Sequence, residues 1–199
     1  MTEDVLAALP IQRGHFLLES GYHSDTWFLL DGLFADPATV APLVATLAER
    51  LRPHGARAVC GPLLGGAFLA QALATSLGTR FFYTEPASSP HPTALFSAEY
   101  QLSPASRRLV RGEPIAVVDD AISAGSSVRA TVGALEAAGA STVVVGALVI
   151  LGDRALMHFA EQGVPVETLQ RRRFDLWQPS ECPLCRLGTS LDSPCEDDR

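Results

Sequence analysis

The 199-residue chain contains no lysine; all fifteen of its cationic side chains are arginine. No chemistry here can use a lysine amine. Positive charge is scarce as well. The net charge is −7, and the longest basic run is Arg171-Arg172-Arg173. Broad nucleic-acid binding needs a sustained positive surface and is not expected. An anionic ligand must then be held by local devices: backbone N–H groups, helix N-termini or a bound cation. Long apolar runs are also missing. None reaches the ~20 residues of a membrane span. The first ten residues, MTEDVLAALP, lack a basic region followed by an apolar stretch, so no secretory signal is expected. These absences point to a soluble, cytoplasmic protein.

Cysteine is sparse: Cys60, Cys182, Cys185 and Cys195. Disulfides are not expected in the cytosol. Cys182-Pro-Leu-Cys185 reads first as a pair of thiols in a C-terminal turn. It also has the C-x2-C spacing of half a zinc site, which Cys195, His158 or a second subunit would have to complete.

Hydrophobic residues make up 47% of the chain and charged residues 19%, enough for a well-buried core in one domain. Short β-rich runs alternate with helical stretches. A helix is expected over 37–51, with Asp36 as N-cap, Pro37 at N1 and Leu43, Leu47 and Leu51 at helical spacing. Strand 57–61, helix 65–77 closed by Gly78, and strand 80–84 follow. From Glu85 to Arg111 the periodicity stops, apart from a strand-like Leu95 to Leu102. So long an irregular stretch reads as a lid. Order returns with strand 114–118, helix 127–138, strand 142–151, helix 153–162 and strand 164–169. Strand–turn–helix repeated four times implies a parallel sheet with helices on both faces. Ligands of such sheets bind at the C-terminal strand ends.

The informative segment is Ile115-Ala-Val-Val-Asp119-Asp120-Ala121-Ile122-Ser123-Ala124-Gly125-Ser126-Ser127. A buried strand meets two carboxylates, then a loop of small residues, then a helix. Small residues let N–H groups close around a phosphate, and the helix N-terminus adds partial positive charge. Two carboxylates repel a phosphate but accept from the vicinal hydroxyls of a ribose. The segment therefore reads as a clamp for ribose 5-phosphate.

This segment resembles the signature of type I phosphoribosyltransferases, which bind phosphoribosyl pyrophosphate (PRPP). Cys60-Gly-Pro62-Leu63-Leu64-Gly65-Gly66-Ala67 resembles their pyrophosphate loop. Residues 14–24, GHFLLESGYHS, resemble the N-terminal strand pair that orotate phosphoribosyltransferases lay over the base, and Gly152-Asp153-Arg154 the place where that family puts an orotate-binding arginine. The tail from Trp177 to Cys185 also resembles the end of one branch of these enzymes.

The resemblance implies an α/β type I phosphoribosyltransferase fold in a single domain, 1–199. Its central, mostly parallel sheet would be flanked by helices, with 1–35 and 170–199 forming a small hood and 84–111 a mobile lid. It implies an orotate-type transferase of pyrimidine biosynthesis, a homodimer, acting on PRPP and orotate with Mg²⁺ carried by PRPP rather than by protein ligands. Asp119, Asp120 and His91 would be catalytic. Residues Asp119 to Ser127 would hold PRPP, and Pro62, Leu63, Leu64 and Gly65 the pyrophosphate. Ser20, Ser123 and Arg154 would hold the base. The lysine-free lid leaves two alternatives: transfer to another base, or a non-catalytic PRPP-binding regulator.

Overall fold

The computed structural model describes residues 6, 9–87 and 94–193. His91 and Cys195 lie outside them. A six-stranded sheet forms the centre, in the order β5-β4-β3-β6-β7-β8. Its strands are β3 (Ala58–Pro62), β4 (Arg80–Pro86), β5 (Tyr100–Gln101), β6 (Pro114–Ile122), β7 (Ser141–Leu151) and β8 (Val166–Arg172). Every pairing is parallel except the short one between β4 and β5. A separate antiparallel pair, β1 (Ile11–Leu17) and β2 (His23–Phe28), forms the hood.

The sheet separates two cores because its strands alternate with period two. Val59, Ala116, Val118, Val144 and Leu148 face one side. There they meet Leu43, Leu47 and Leu51 of α1 (Pro37–Leu51) and Leu69 and Leu73 of α2 (Gly65–Leu77). Ala58, Cys60, Ile115, Val117, Val145 and Ala147 face the other. They pack on Val128, Val132 and Leu135 of α4 (Ser126–Ala137) and on Ala155 and Phe159 of α5 (Arg154–Glu161). Burying one such Leu or Phe contributes about 1.5–3 kcal/mol, so two filled faces outweigh any single polar contact in the sheet.

The caps behave as the sequence indicates. Asp36 accepts from the Ala38 N–H at 3.0 Å, and Gly78 closes α2 at φ 67°. One element was not expected. Inside the stretch without apolar periodicity, α3 (Pro104–Leu109) forms behind Ser103, whose hydroxyl accepts from the Ser106 N–H at 3.2 Å. Ser-Pro is a cap followed by N1, a signal that the missing apolar periodicity of a six-residue helix hides. Parts of β4 and all of β5 also fall between 84 and 111. Strands β4 and β6 both outrun their expected ends, because a neighbour keeps pairing after the apolar run stops: antiparallel β5 holds Glu85 and Pro86, and parallel β7 holds Asp119, Ala121 and Ile122.

The tail closes on the hood. Trp177 forms a two-way backbone bridge with His23, at 2.8 and 3.0 Å. A one-turn helix, α6 (Pro183–Arg186), follows.

Candidate functional site

Strand β6 carries the acidic pair, because Asp119, Ala121 and Ile122 still pair with Ala147, Val149 and Ile150 of β7. Asp119 is buried and Asp120 half-buried. Burial pushes the Asp119 carboxyl well above the usual carboxylate range, the Asp120 charge pushes it further, and a hydrogen bond from Ser127 opposes both. The Ser127 hydroxyl donates to Asp119 Oδ2 at 3.0 Å, and the Ala121 N–H donates to Asp120 Oδ1 at 2.7 Å. Like charges 4 Å apart near a protein surface repel by roughly 4 kcal/mol. A phosphate against this pair would meet that repulsion, whereas a neutral sugar diol brings donors and no charge.

The loop after the pair turns on Gly125, at φ 82°, into α4. The left-handed residue is the glycine, so Ser126 takes ordinary helical backbone. No side chain caps α4, and its first main-chain bond to the loop runs from the Arg129 N–H to the Gly125 carbonyl at 2.9 Å. The N–H groups of the first turn therefore remain to be satisfied. The buried Ser126 hydroxyl has no partner either. Ser127 spends its proton on Asp119, so Ser126 is the hydroxyl left for an anion. Ile122 and Ala124 are buried and anchor the loop.

The second glycine turn lies directly against the acids. Strand β3 ends at Pro62, the Leu63–Leu64 peptide is cis, and α2 starts at Gly65. The Leu63 N–H bonds to the Thr84 carbonyl at 2.9 Å. A β-carbon on Gly65 would overlap the Asp120 carboxylate, and one on Gly66 would come within 2.7 Å of Asp119 Oδ1. Two turns that look alike in sequence thus meet at one diol-accepting pair.

Across the pair, a cleft of about 230 Å³ is lined by Leu18, Trp27, Asp120, Ser123, Leu151 and Phe174, among others. Ser123 is therefore beside Asp120 in space as well as in sequence. Arg154 opens α5 and reaches the hood. Its guanidinium lies 4.5 Å from the Tyr22 ring centroid and donates to the Tyr22 hydroxyl at 3.2 Å. Ser20 is buried in the same hood turn, and its carbonyl accepts from the Phe96 N–H at 2.9 Å.

Sequence reasoning missed the chain of contacts that runs on from Arg154 through Tyr22 to Phe96 and Arg129. Arg129 lies over the Phe96 ring at 4.1 Å, and Phe96 packs edge-on against Tyr22 at 5.8 Å. Burial lowers the pKa of Arg129. The signal for Arg129 was its place one turn into the helix that follows the signature. Tyr22 and Phe96 carried no local signal. Tyr100 donates to Glu19 at 2.7 Å. Burial, then the Glu19 charge, then the Asp119 charge hold the Tyr100 hydroxyl protonated. The arginines of the expected lid sit elsewhere: Arg107 and Arg108 lie on α3, where Arg107 donates to the Leu102 carbonyl at 3.2 Å.

A second cluster was only half anticipated. His15, His23, Cys182 and Cys185 place their donor atoms within 4.8 Å of one another. His158 is not among them. It lies on α5, with its ring against Phe159 at 5.0 Å.

The chain belongs to the phosphoribosyltransferase family: the phosphoribosyl transferase domain matches residues 37–169. The fold agrees. The adenine phosphoribosyltransferase of Thermoanaerobacter pseudethanolicus superposes with a TM-score of 0.65 at 17% identity, covering 86% of this chain and 100% of that one. The orotate phosphoribosyltransferase of Aeropyrum pernix gives 0.65 at 24% identity, covering 86% and 94%. Sequence relatives narrow the kind. The orotate phosphoribosyltransferase of Desulforamulus reducens is 32% identical, over 91% of this chain and 87% of its own. That of Helicobacter pylori is 31% identical over 92% of each. The chain is thus a phosphoribosyltransferase, similar along nine-tenths of its length to enzymes of the orotate type.

Proposed function

We propose that the protein transfers ribose 5-phosphate from PRPP to a ring nitrogen of orotate, releasing pyrophosphate and orotidine 5′-phosphate, as a cytoplasmic homodimer. The observation that carries this reading is the contact between the Gly65–Gly66 turn and the Asp119–Asp120 pair. It sets a place for a pyrophosphate and a place for a 5′-phosphate on either side of one diol acceptor, which is the charge pattern of PRPP.

In this mechanism the first-turn N–H groups of α4 and the Ser126 hydroxyl take the 5′-phosphate. Asp119 and Asp120 hydrogen-bond to the two ribose hydroxyls, and the negative charge that the pair carries stabilises the cationic sugar ring as the C1–O bond breaks. Pro62, Leu63, Leu64 and Gly65 bring main chain to the pyrophosphate, with no side chain at Gly65 to hold it off. Ser123 and Arg154 orient the base. A guanidinium suits the carboxylate of orotate, and Arg154 is already held in place by Tyr22. His91 and the segment around it would cover the leaving group and exclude water. The oxygen donors at the acidic pair are of the kind Mg²⁺ takes, and the ion would come with PRPP and would supply charge neutralisation at the pyrophosphate. An apolar groove of about 640 Å³ between α1 and α2, with the exposed Phe68 on its wall, offers a second copy a face to cover.

A pyrophosphate-release assay with PRPP, Mg²⁺ and each of orotate, uracil, adenine, guanine and xanthine tests the reading. Release with orotate alone is expected. Release with a different base would reassign the substrate, and PRPP binding without any release would make the protein a regulator. Sedimentation at micromolar concentration tests the dimer.

A further inference from the structure

We propose that His15, His23, Cys182 and Cys185 bind one zinc ion, which fastens the C-terminal tail to the hood. The chemistry of the donor set comes first. Two imidazoles and two thiols converge, and thiolate with imidazole in a four-fold set is the combination that selects zinc. All four positions are filled by protein, which describes a structural site rather than one kept open for a substrate.

The distances suit an ion. Ideal tetrahedral edges at zinc are about 3.3 Å between nitrogens, about 3.6 Å from nitrogen to sulfur and about 3.8 Å between sulfurs. Here Cys182 Sγ is 3.4 Å and Cys185 Sγ 3.6 Å from His15 Nε2, and Cys185 Sγ is 3.3 Å from His23 Nδ1. The two nitrogens are 2.8 Å apart. An ion would separate them by about half an ångström, a small rotation of either ring.

The surroundings prepare the ligands. His15 Nδ1 lies 2.9 Å from the Thr189 carbonyl. A carbonyl only accepts, so Nδ1 carries the proton and Nε2 turns its lone pair toward the cluster. A metal-bound histidine is commonly oriented in this way by a neighbour of its other nitrogen. A β-bulge aims the ring. Between Arg13 and Phe16 the register advances three residues on β1 against two on β2, so His15 and Phe16 are buried in succession. The C-x2-C pair straddles the first turn of α6, with Cys182 as its N-cap and fully buried.

The tail needs such a link. From 173 to 193 the one buried side chain is Cys182, and Leu187 and Leu191 are exposed. Ordering some twenty residues opposes folding at each of them, and beyond Phe174, which packs on the sheet's core and on Phe28, little apolar packing offsets it. After Phe174, the tail is tied down by the Trp177–His23 bridge, the paired bonds between His15 and Asp192 at 2.7 Å, and this cluster. Both clamps close on residues that would hold the ion. The ligands of the hood flank the turn that carries Ser20 and Tyr22, so the ion would also fix the part of the hood that reaches Arg154.

The test is metal content, independent of any activity. The full chain, expressed in zinc-supplemented medium and purified without chelator, should carry close to one equivalent of zinc by plasma mass spectrometry. Cobalt replacement should give the intense visible bands of a tetrahedral site with two thiolates. C185S and C182S should each lose most of the metal, and stripping zinc with a strong chelator should lower Tm by roughly 10 °C. Wild-type protein with less than a tenth of an equivalent, together with no cobalt spectrum, would overturn the proposal and leave a hydrogen-bonded cluster. Zinc fully retained by the C182S/C185S double variant would overturn it by placing the metal elsewhere. If the variants prove insoluble, the wild-type stoichiometry and cobalt spectrum decide alone.

Discussion

Gly65 lies so close to Asp120 that a β-carbon on the glycine would overlap the carboxylate, meeting its carbon at 2.6 Å. Gly65→Ala must therefore displace the acid or the start of α2. A shift near 1 Å in a site of this kind costs about 100-fold in turnover. Gly133 has nothing within 4 Å of its would-be β-carbon and sits on the exposed face of α4. Gly133→Ala should instead stabilise the fold by roughly 0.5–1 kcal/mol and leave turnover unchanged. Pyrophosphate-release kinetics and thermal melts on the two variants measure this contrast. Equal activities would mean that the contact does not matter.

Asp119 is held well above the ordinary carboxylate range by burial first and by Asp120 second. A folded chain that binds this proton more tightly than the unfolded chain is most favoured below the unfolded value, and it loses that stability as pH rises through the folded value. Asp119→Asn removes the ionisation. It should raise Tm by a few degrees at pH 8 and much less at pH 4, roughly, while weakening PRPP binding by about 10- to 100-fold. Calorimetric titration and melts at the two pH values separate the effects.

The Arg154 guanidinium is held in place over the Tyr22 ring. Arg154→Ala should raise the orotate KM by about 10- to 100-fold with little change in the PRPP KM. Tyr22→Phe keeps the ring and loses only the bond to Arg154, so a rise of about two- to five-fold is expected, the effect of one modest hydrogen bond. An unchanged KM in the alanine variant would remove Arg154 from the base site.

Thr84 at the end of β4 and Thr131 on α4 are fully buried and share a hydrogen bond of 2.6 Å. Thr131→Val strands the Thr84 hydroxyl and should cost about 1–3 kcal/mol in urea denaturation. The double change to valine should recover part of that loss, because no polar group is then left unpaired.

What was legible in the sequence was continuous in the sequence. The acidic pair, the small-residue loop and the start of α4 sit within nine residues, so the strand-to-helix turn that folds them is also the motif that announces them. The Gly65 turn was legible as a turn, but its contact with Asp120 depends on β3 and β6 lying side by side. Contacts between distant segments had no local signature. Tyr22 and Arg154 are 132 residues apart, and His15 and Cys182 are 167 apart. The bulge that buries His15 reverses the alternation a reader would count on. Helix α3 was missed because it is announced by its cap, Ser103-Pro104, and not by an apolar face.

The bonds from Trp177 and Asp192 to His23 and His15 impose an order on synthesis. Strands β4 to β8 can pair as they leave the ribosome, since each meets a neighbour already made. The hood hairpin is translated first and finds its tail partners last. A nascent chain would hold its sheet and its acidic pair before the roof above them is locked, which waits for the segment from Trp177 to Asp192.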